Sequence, residues 1–288
     1  MTTLAVHPPQ VQPTAACPAE ILRCPITHGP LRELTPEELD GINTRIERGT
    51  IRHVDGSPVA QTLDAGYIGI GGEFAYGVRD RIALLVPALA IQLASASNQN
   101  KTDRLRSEKQ AVQRYYDDIG WSTGAGGKAF VDAQNWEDLR AVAQDYIRAC
   151  HRRVKRHLRP TGKYLLDVAS GPVQYPEYLE YSERYAVRIC VDISFAALRE
   201  ARRKLGDRGI FILGDITNLP LAEGIADGVV SLHTIYHTPA DEQATAFREI
   251  YRVLAPGCTA AVVYCWRSAL IKAVMLPAKL VRGPWKLA

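Results

Sequence analysis

Five short apolar runs alternate with segments of helical periodicity between residues 164 and 265, and this alternation constrains the fold more than any other feature of the chain. The runs are continuous, as strands buried on both faces are. A strand followed by a helix, repeated, predicts right-handed crossovers and a parallel sheet with helices on both faces. The predicted strands are residues 164–168, 186–191, 210–214, 228–232 and 259–265, and the predicted helices lie near 175–182, 194–205 and 240–254.

Small or polar residues follow the first four predicted strands. The first runs into Asp167-Val168-Ala169-Ser170-Gly171-Pro172, the second ends at Asp192, and Asp215 and His233 follow the third and fourth. In open parallel sheets, ligands bind at the carboxyl ends of the strands. Small residues allow a ligand close to the backbone, and the next helix offers free N–H groups. Asp192 lies 21 positions after Gly171, which suits a carboxylate that accepts hydrogen bonds from a ribose. A nucleotide-type site is therefore predicted.

Residues 135–267 contain five strings of residues, each of which is a weak signal alone, whereas their order along the chain is specific. Together they make this part of the chain resemble class I S-adenosylmethionine-dependent methyltransferases of the methyltransferase type 11-like kind. The resemblance implies a Rossmann-like parallel sheet. It also leads us to expect that the family's C-terminal strand pair is missing, because only about twenty residues follow Trp266. The strings are Leu165–Pro172, Val191–Ser194 with Ala197-Leu198 and Ala201-Arg202, Gly214–Ile216 with Leu219-Pro220, Asp227–His233, and Phe247–Gly257.

The resemblance implies S-adenosylmethionine as cofactor and gives roles to residues at the strand ends. Asp167 and the turn after it would hold the methionine part, Asp192 the ribose hydroxyls, and Asp215 the adenine amino group. Ala169 departs from the family pattern by replacing its first glycine, and Val173 stands where a third glycine is common. The predicted cofactor-binding residues are Tyr116, Asp167, Ala169, Ser170, Gly171, Asp192, Ile193, Asp215, Ile216 and His233.

Aromatic and histidine residues suggest how such a site would be closed and used. Tyr116 resembles the family's lid residue, since an aromatic face attracts a sulfonium cation, whereas Tyr115 and Trp121 also suit a core stripe. Tyr236 and His237 are the predicted catalytic residues, which would orient the acceptor or serve as general base. The alternative is that His237 and Asp241 cap the next helix.

Residues 20–94 form a separate block that resembles the Trm112-like family. We predict a small α+β domain with a helix beginning at Thr35, which has Glu38 as capping-box partner, and a stabilising or substrate-guiding role. Thr27 stands where a second cysteine would complete a metal-binding pair. Cys24, His28 and His53 lack a fourth ligand, so no metal is predicted. The resemblance is carried by Leu22–Pro25, His28–Leu31, His53–Gly56, Val78–Ile82 and Leu84-Leu85.

The remaining segments are predicted from composition. Residues 1–19 are rich in Pro, Thr and Ala and are expected to be mobile, and residues 95–134 are expected to hold a linker and the lid helix. Residues 268–288 read as a basic, apolar helix interrupted by Pro277. This helix would by default cover the sheet edge; the alternatives are membrane-surface contact through 268–286 and the stump of a longer chain.

The amino-acid composition and net charge of the chain limit the classes of molecule that it is expected to bind. The net charge of +4 is mild and the basic residues are dispersed except at 151–159, so nucleic acid is not an expected partner. By elimination, the acceptor is expected to be a small molecule, a lipid or a glycan. Six scattered cysteines without a CxxC pair fit a reducing cytoplasm, and no apolar run is long enough to span a bilayer. Nothing in the sequence predicts an oligomeric state.

The sequence is also compatible with two other functions. Asp192 would equally suit the ribose of NAD in a nicotinamide-dependent oxidoreductase, although the G-x-G-x-x-G spacing and a place for a pyrophosphate are absent. The chain could also be a non-catalytic methyltransferase-like protein that binds a partner or acts as a scaffold.

Overall fold

The computed structural model describes residues 17–93, 107–122, 130–136 and 141–264. Ten described strands form one mixed sheet. The strands are β1 (Leu31–Glu33), β2 (Ala65–Gly69), β3 (Phe74–Arg79), β4 (Ile82–Leu84), β5 (Ile91–Gln92), β6 (Gly162–Val168), β7 (Tyr185–Asp192), β8 (Gly209–Leu213), β9 (Ala226–Leu232) and β10 (Leu254–Val263). The helices are α1 (Pro36–Glu47), α2 (Ser107–Tyr115), α3 (Val131–Trp136), α4 (Ala141–Lys155), α5 (Pro176–Leu179), α6 (Phe195–Leu205) and α7 (Gln243–Val253).

The strand order is β1-β2-β3-β4-β8-β7-β6-β9-β10, with β5 paired to β3. From β4 to β10 every neighbouring pair is parallel, whereas β1 to β4 pair antiparallel. This arrangement confirms the predicted Rossmann-like parallel sheet. All five predicted strands are present, although β10 begins at Leu254, five positions before the predicted start, with a register shift between Leu254 and Thr259.

Helices cover both faces of the parallel sheet, as predicted. Alternate residues of β7 and β8 belong to different apolar clusters, because successive side chains of a strand point to opposite faces. Cys190 and Phe211 pack with Leu198 of α6 on one face. On the other face, Ile189 and Ile212 belong to a cluster that includes α7 residues, among them Ala246 and Ile250.

The small amino-terminal block shares its sheet and its core with the parallel half. Ile82 and Leu84 of β4 lie in parallel register with Phe211 and Leu213 of β8. The α7-side cluster also contains Leu22, Tyr67 and Leu85 from the small block. Helix α1 begins as predicted, since Glu38 N donates to Thr35 Oγ1 and Thr35 N donates to Glu38 Oε2. The small block therefore extends the sheet on which the predicted site lies.

Several predictions concern residues outside the described ranges. They are the mobile segment up to residue 16, residues 95–106 and 123–129 of the segment 95–134, the C-terminal helix over 268–288 and the missing strand pair. Helix α3 ends at Trp136 and α4 begins at Ala141, and residues 137–140 lie outside the description. Across 17–93, 107–122, 130–136 and 141–264, no helix has both the length and the apolarity needed to cross a bilayer.

Candidate active site

The carboxyl ends of β6 and β7 are joined by hydrogen bonds from the turn that follows β6. Ala169 N and Ser170 N donate to Val191 O, at 2.7 and 3.2 Å. Gly171 N donates to Asp192 Oδ2 at 2.8 Å. The structure thus places the predicted methionine-binding turn directly beside the predicted ribose-binding carboxylate.

The turn holds a left-handed backbone at residues that are not glycine. Ala169 and Val173, the two departures from the family's glycine pattern, have φ of 55° and 49°, and Gly171 between them has φ of 55°. A side chain in this conformation costs about 1–2 kcal/mol per residue. His233, after β9, also has φ of 55°. Strain of this kind persists where the surrounding structure enforces it, as it does at functional sites.

Asp192 is buried, and the backbone holds both of its oxygens. Oδ2 accepts from Gly171 N and Oδ1 accepts from Ser194 N, each at 2.8 Å. Burial raises the pKa of Asp192 to about 6, against the lowering effect of these two N–H groups, and the nearby Asp167 and Asp117 raise it further. The group is therefore ionised at neutral pH and close to its titration range.

Asp167 lies in a buried ion pair that the sequence analysis missed. Arg188, in the middle of β7 and only 1 % exposed, donates through Nε to Asp167 Oδ2 at 3.1 Å. Its Nη2 contacts the same oxygen, and its Nη1 donates to Tyr178 O. The sequence does contain a signal for this ion pair, namely a single arginine within an apolar strand, because a buried charge needs a partner of opposite charge.

Asp215 is held by a lysine that the sequence analysis also missed. Lys109 Nζ, on α2, lies 2.6 Å from Asp215 Oδ2 and forms a second ion pair with Glu242. Asp215 Oδ1 accepts from Thr217 N and Thr217 Oγ1, both at 2.9 Å. Both oxygens of the predicted adenine-binding carboxylate are thus engaged.

The lid segment, which we define as residues 107–122, lies across the carboxyl ends of β6, β7 and β8. It consists of α2 and a π-helical turn over Tyr116–Gly120. The rings of Tyr116 and Trp121 stack with centroids 4.9 Å apart. A Cβ built on Gly171 would lie 3.2 Å from Trp121 Cζ2. Trp121 therefore stacks on Tyr116 and packs against the turn that follows β6.

The predicted catalytic pair lies next to the lid. Tyr236 and His237 belong to a short 3₁₀ turn after β9, with ring centroids 4.4 Å apart, and His237 packs edge-on to Tyr116 at 6.5 Å. The pKa of His237 is lowered, first by burial and then by His233, so the imidazole is neutral at pH 7 and can accept a proton. The N-cap residue of α7 is Glu242, which directly follows Asp241.

The weak metal candidates of the small block make other contacts. Cys24 Sγ lies 3.1 Å from Tyr76 Oη, and His53 Nδ1 lies 2.9 Å from Leu89 O. Within the described parts of the chain, no three His, Cys, Asp or Glu side chains are grouped as metal ligands.

Comparison with known proteins agrees with this architecture. Residues 166–262 match the family described as "Methyltransferase domain". The uncharacterized methyltransferase YdaC of Bacillus subtilis is 30% identical over 109 residues, which are 38% of this chain and 59% of that protein. The sterol 24-C-methyltransferase erg6 of Schizosaccharomyces pombe is 27% identical over 173 residues, 56% of this chain and 43% of that protein. The chain thus spans about half the length of these curated relatives.

A solved structure was matched as well. The geranyl diphosphate C-methyltransferase of Streptomyces coelicolor, in complex with Mg²⁺, geranyl diphosphate and S-adenosyl-L-homocysteine, is 15% identical with a TM-score of 0.42. The match covers 60% of this chain and 73% of that one. Residues 166–262, which match the methyltransferase-domain family, lie on the Rossmann-like parallel sheet.

Proposed function

We propose that this protein is an S-adenosylmethionine-dependent methyltransferase that acts on a small-molecule, lipid or glycan acceptor. The observation that carries the proposal is the meeting of the strand ends under an aromatic lid. Gly171 and Asp192 are hydrogen-bonded to each other, and Trp121 packs on Gly171. His237 lies beside Tyr116.

The charges at this edge fit the proposed cofactor. Asp117 lies near enough to Asp192 to raise its pKa, and Asp132 and Asp192 likewise raise the pKa of Tyr116 after burial. Such a group of carboxylates suits a ligand with an ammonium and a sulfonium, because opposite charges attract at short range. The same carboxylates would repel the pyrophosphate of NAD, so they argue against the oxidoreductase alternative.

Asp192 and the turn after β6 would hold the ribose and methionine parts, and Ala169, Ser170, Ile193, Ile216 and His233 would surround them. When bound, S-adenosylmethionine supplies an electrophilic methyl group. Tyr116 and Trp121 would exclude water from the reacting atoms, and the site would contribute mainly by holding acceptor and methyl donor in line. His237, neutral at pH 7, would take the proton that the acceptor atom loses, and Tyr236 would help to orient the acceptor.

Aromatic side chains next to Tyr236 and His237 favour an acceptor molecule that is uncharged where it contacts the protein. The ring of Tyr264 lies 6.1 Å from Tyr236 and 6.3 Å from Phe247. The fission-yeast relative is named a sterol methyltransferase, which supports lipid-like molecules within the proposed acceptor class.

We further propose that residues 20–94 are a Trm112-like domain that stabilises the methyltransferase domain over residues 135–267. Support comes from the pairing of β4 with β8 and from the apolar cluster that both parts share.

Titration calorimetry tests the proposal. We expect saturable binding of S-adenosylmethionine and S-adenosylhomocysteine and no binding of NAD. If neither S-adenosylmethionine nor S-adenosylhomocysteine binds to the folded protein, the proposed methyltransferase function is refuted. Binding of NAD alone would favour the oxidoreductase alternative. Binding without transfer of labelled methyl to small-molecule, lipid or glycan fractions of a cell extract would favour the scaffold.

A further inference from the structure

We propose that Lys109 is the positioning residue that holds the lid segment over the cofactor site, and that Asp215 acts through Lys109 as its anchor. This inference rests on the proposed function. Lys109 would not touch the cofactor or the acceptor; it would set the position of Tyr116 and Trp121, which would enclose them.

The contacts of Lys109 are those of a buried anchor. Nζ lies 2.6 Å from Asp215 Oδ2 and 2.7 Å from Thr217 Oγ1, and it also pairs with Glu242. An ammonium has three donors, of which Asp215 and Thr217 accept two, whereas Glu242 adds an ion pair. The side chains of Lys109 and Asp215 are only 9% and 11% exposed. A lysine is rarely buried to this extent unless it is paired.

Lys109 is the first of three polar attachments on one face of the lid segment. Four residues later, Gln113 Nε2 donates to Ile193 O at 2.9 Å. Another four residues on, Asp117 Oδ1 accepts from Ser194 Oγ at 2.6 Å. Residues spaced by four share a helix face, so the three attachments fix the lid segment, from α2 into the π-helical turn, against the ends of β7 and β8.

Polar contacts carry much of this attachment because α2 has little apolar surface to bury. Its sequence, Ser-Glu-Lys-Gln-Ala-Val-Gln-Arg-Tyr, contains only Ala111, Val112 and Tyr115 as apolar or aromatic members. Lys109 is its one buried charge among the described side chains. An ion cluster shielded from water resists separation more than a neutral hydrogen bond does.

The cluster also predicts the sign of the effect of removing the lysine. One ammonium lies between the carboxylates of Asp215 and Glu242, so its loss leaves two negative groups near each other without a cation. Helix α2 would then lose its ionic attachment to the sheet, and cofactor affinity would fall. If Lys109 instead competed with adenine for Asp215, its removal would strengthen binding.

Amide hydrogen exchange of the cofactor-free protein tests the attachment. In Lys109→Met we expect the amides of residues 107–122 to lose protection by at least about tenfold while β6, β7 and β8 keep theirs. Arg114→Met is the matched control, because Arg114 is an exposed cation on the same helix, bonded only to Gln110 O at 3.3 Å among the hydrogen bonds of the described residues. Unchanged exchange in the lid segment, or loss of protection throughout β6–β8, would overturn the proposal.

Cofactor affinity tests the consequence. We expect the Kd of S-adenosylhomocysteine to rise at least about tenfold in Lys109→Met and to stay near wild type in Arg114→Met. A double-mutant cycle with Asp215→Asn should show that the two effects do not add, since both remove the same anchor. Tighter binding or simple additivity would contradict the assigned roles. If the wild type binds no cofactor, the proposed function fails, whereas the exchange experiment still decides whether Lys109 holds the lid.

Discussion

Arg188 and Asp167 form a buried ion pair between neighbouring strands, with Arg188 Nε 3.1 Å from Asp167 Oδ2. The pair lies beneath the turn that begins the proposed cofactor site, and Arg188 also binds the carbonyl of Tyr178. Asp167 therefore serves the interior of the sheet as well as the site. Its charge is compensated from within the protein before any ligand is bound.

Replacing Arg188 by Met should lower the free energy of unfolding by about 3–5 kcal/mol, because the Asp167 carboxylate remains buried without its cation. Urea denaturation measures this loss. Arg184→Met, an exposed arginine just before the same strand, should change stability by less than about 0.5 kcal/mol. The double variant Asp167→Asn/Arg188→Met should recover part of the loss, and no recovery would show that Arg188 stabilises the fold through its other contacts.

Binding of S-adenosylmethionine should weaken as the pH falls below about 6. The pKa of Asp192 is raised to about 6 by burial, and a protonated carboxyl has less capacity to accept from ribose hydroxyls. Calorimetric titrations between pH 5 and 8 would show this inflection, which should be absent in Asp192→Asn. An equal pH dependence in the variant would remove Asp192 from the ribose role.

The same group gives stability an unusual pH dependence. Because the folded pKa of Asp192 lies above its usual value of 3.8, the folded state binds the proton more tightly than the unfolded state. Its contribution therefore favours folding below about pH 4, is lost as the pH rises towards 6, and is constant above that, a change of about 3 kcal/mol. Comparing the unfolding curves of the wild type and Asp192→Asn across this range isolates it.

Substituting Gly171 by Ala should both strain the turn and displace the lid. The left-handed φ of 55° costs a side chain about 1–2 kcal/mol, and the new Cβ would lie 3.2 Å from Trp121 Cζ2. Gly257→Ala is the control, since Gly257 has φ of 73° but nothing within 4 Å of its Cβ position. Both variants should lose stability, whereas only Gly171→Ala should weaken cofactor binding. Equal affinities would mean that Trp121 does not close the site.

His237→Asn should lower kcat by about 10²–10⁴ if His237 is the general base, with the cofactor Kd near its wild-type value. Burial and His233 lower the pKa of His237, so the wild-type rate should persist somewhat below the usual histidine pKa of 6.5 as the pH falls. Pre-steady-state methyl transfer measures the chemical step. If the variant is as fast as the wild type, His237 is not the general base, and the rate depends only on the alignment of the acceptor with the methyl donor.

Patterns of neighbouring residues in the sequence were sufficient to predict the five parallel strands and the start of α1. These strands and the capping box at Thr35 and Glu38 depend on residues close in sequence, and each is present. The closeness of Gly171 and Asp192 also followed, because adjacent parallel strands bring their carboxyl ends together. The turn after β6 has Ala169 and Val173 at two positions where the family commonly has glycine, yet the backbone at both residues still adopts the left-handed conformation.

The partners of the charged residues could not be predicted in this way. Lys109 and Asp215 are 106 positions apart, and nothing near Lys109 in the sequence distinguishes it from a lysine on a solvated helix face. The union of β4 with β8 likewise joins segments more than a hundred residues apart. Local periodicity and turn chemistry are properties of short stretches, so sequence patterns were enough for the parallel strands, for the helices between them and for the set of residues at the strand ends. Which carboxylate pairs with which cation depends instead on how distant segments pack together, because a charge that becomes buried there needs a partner.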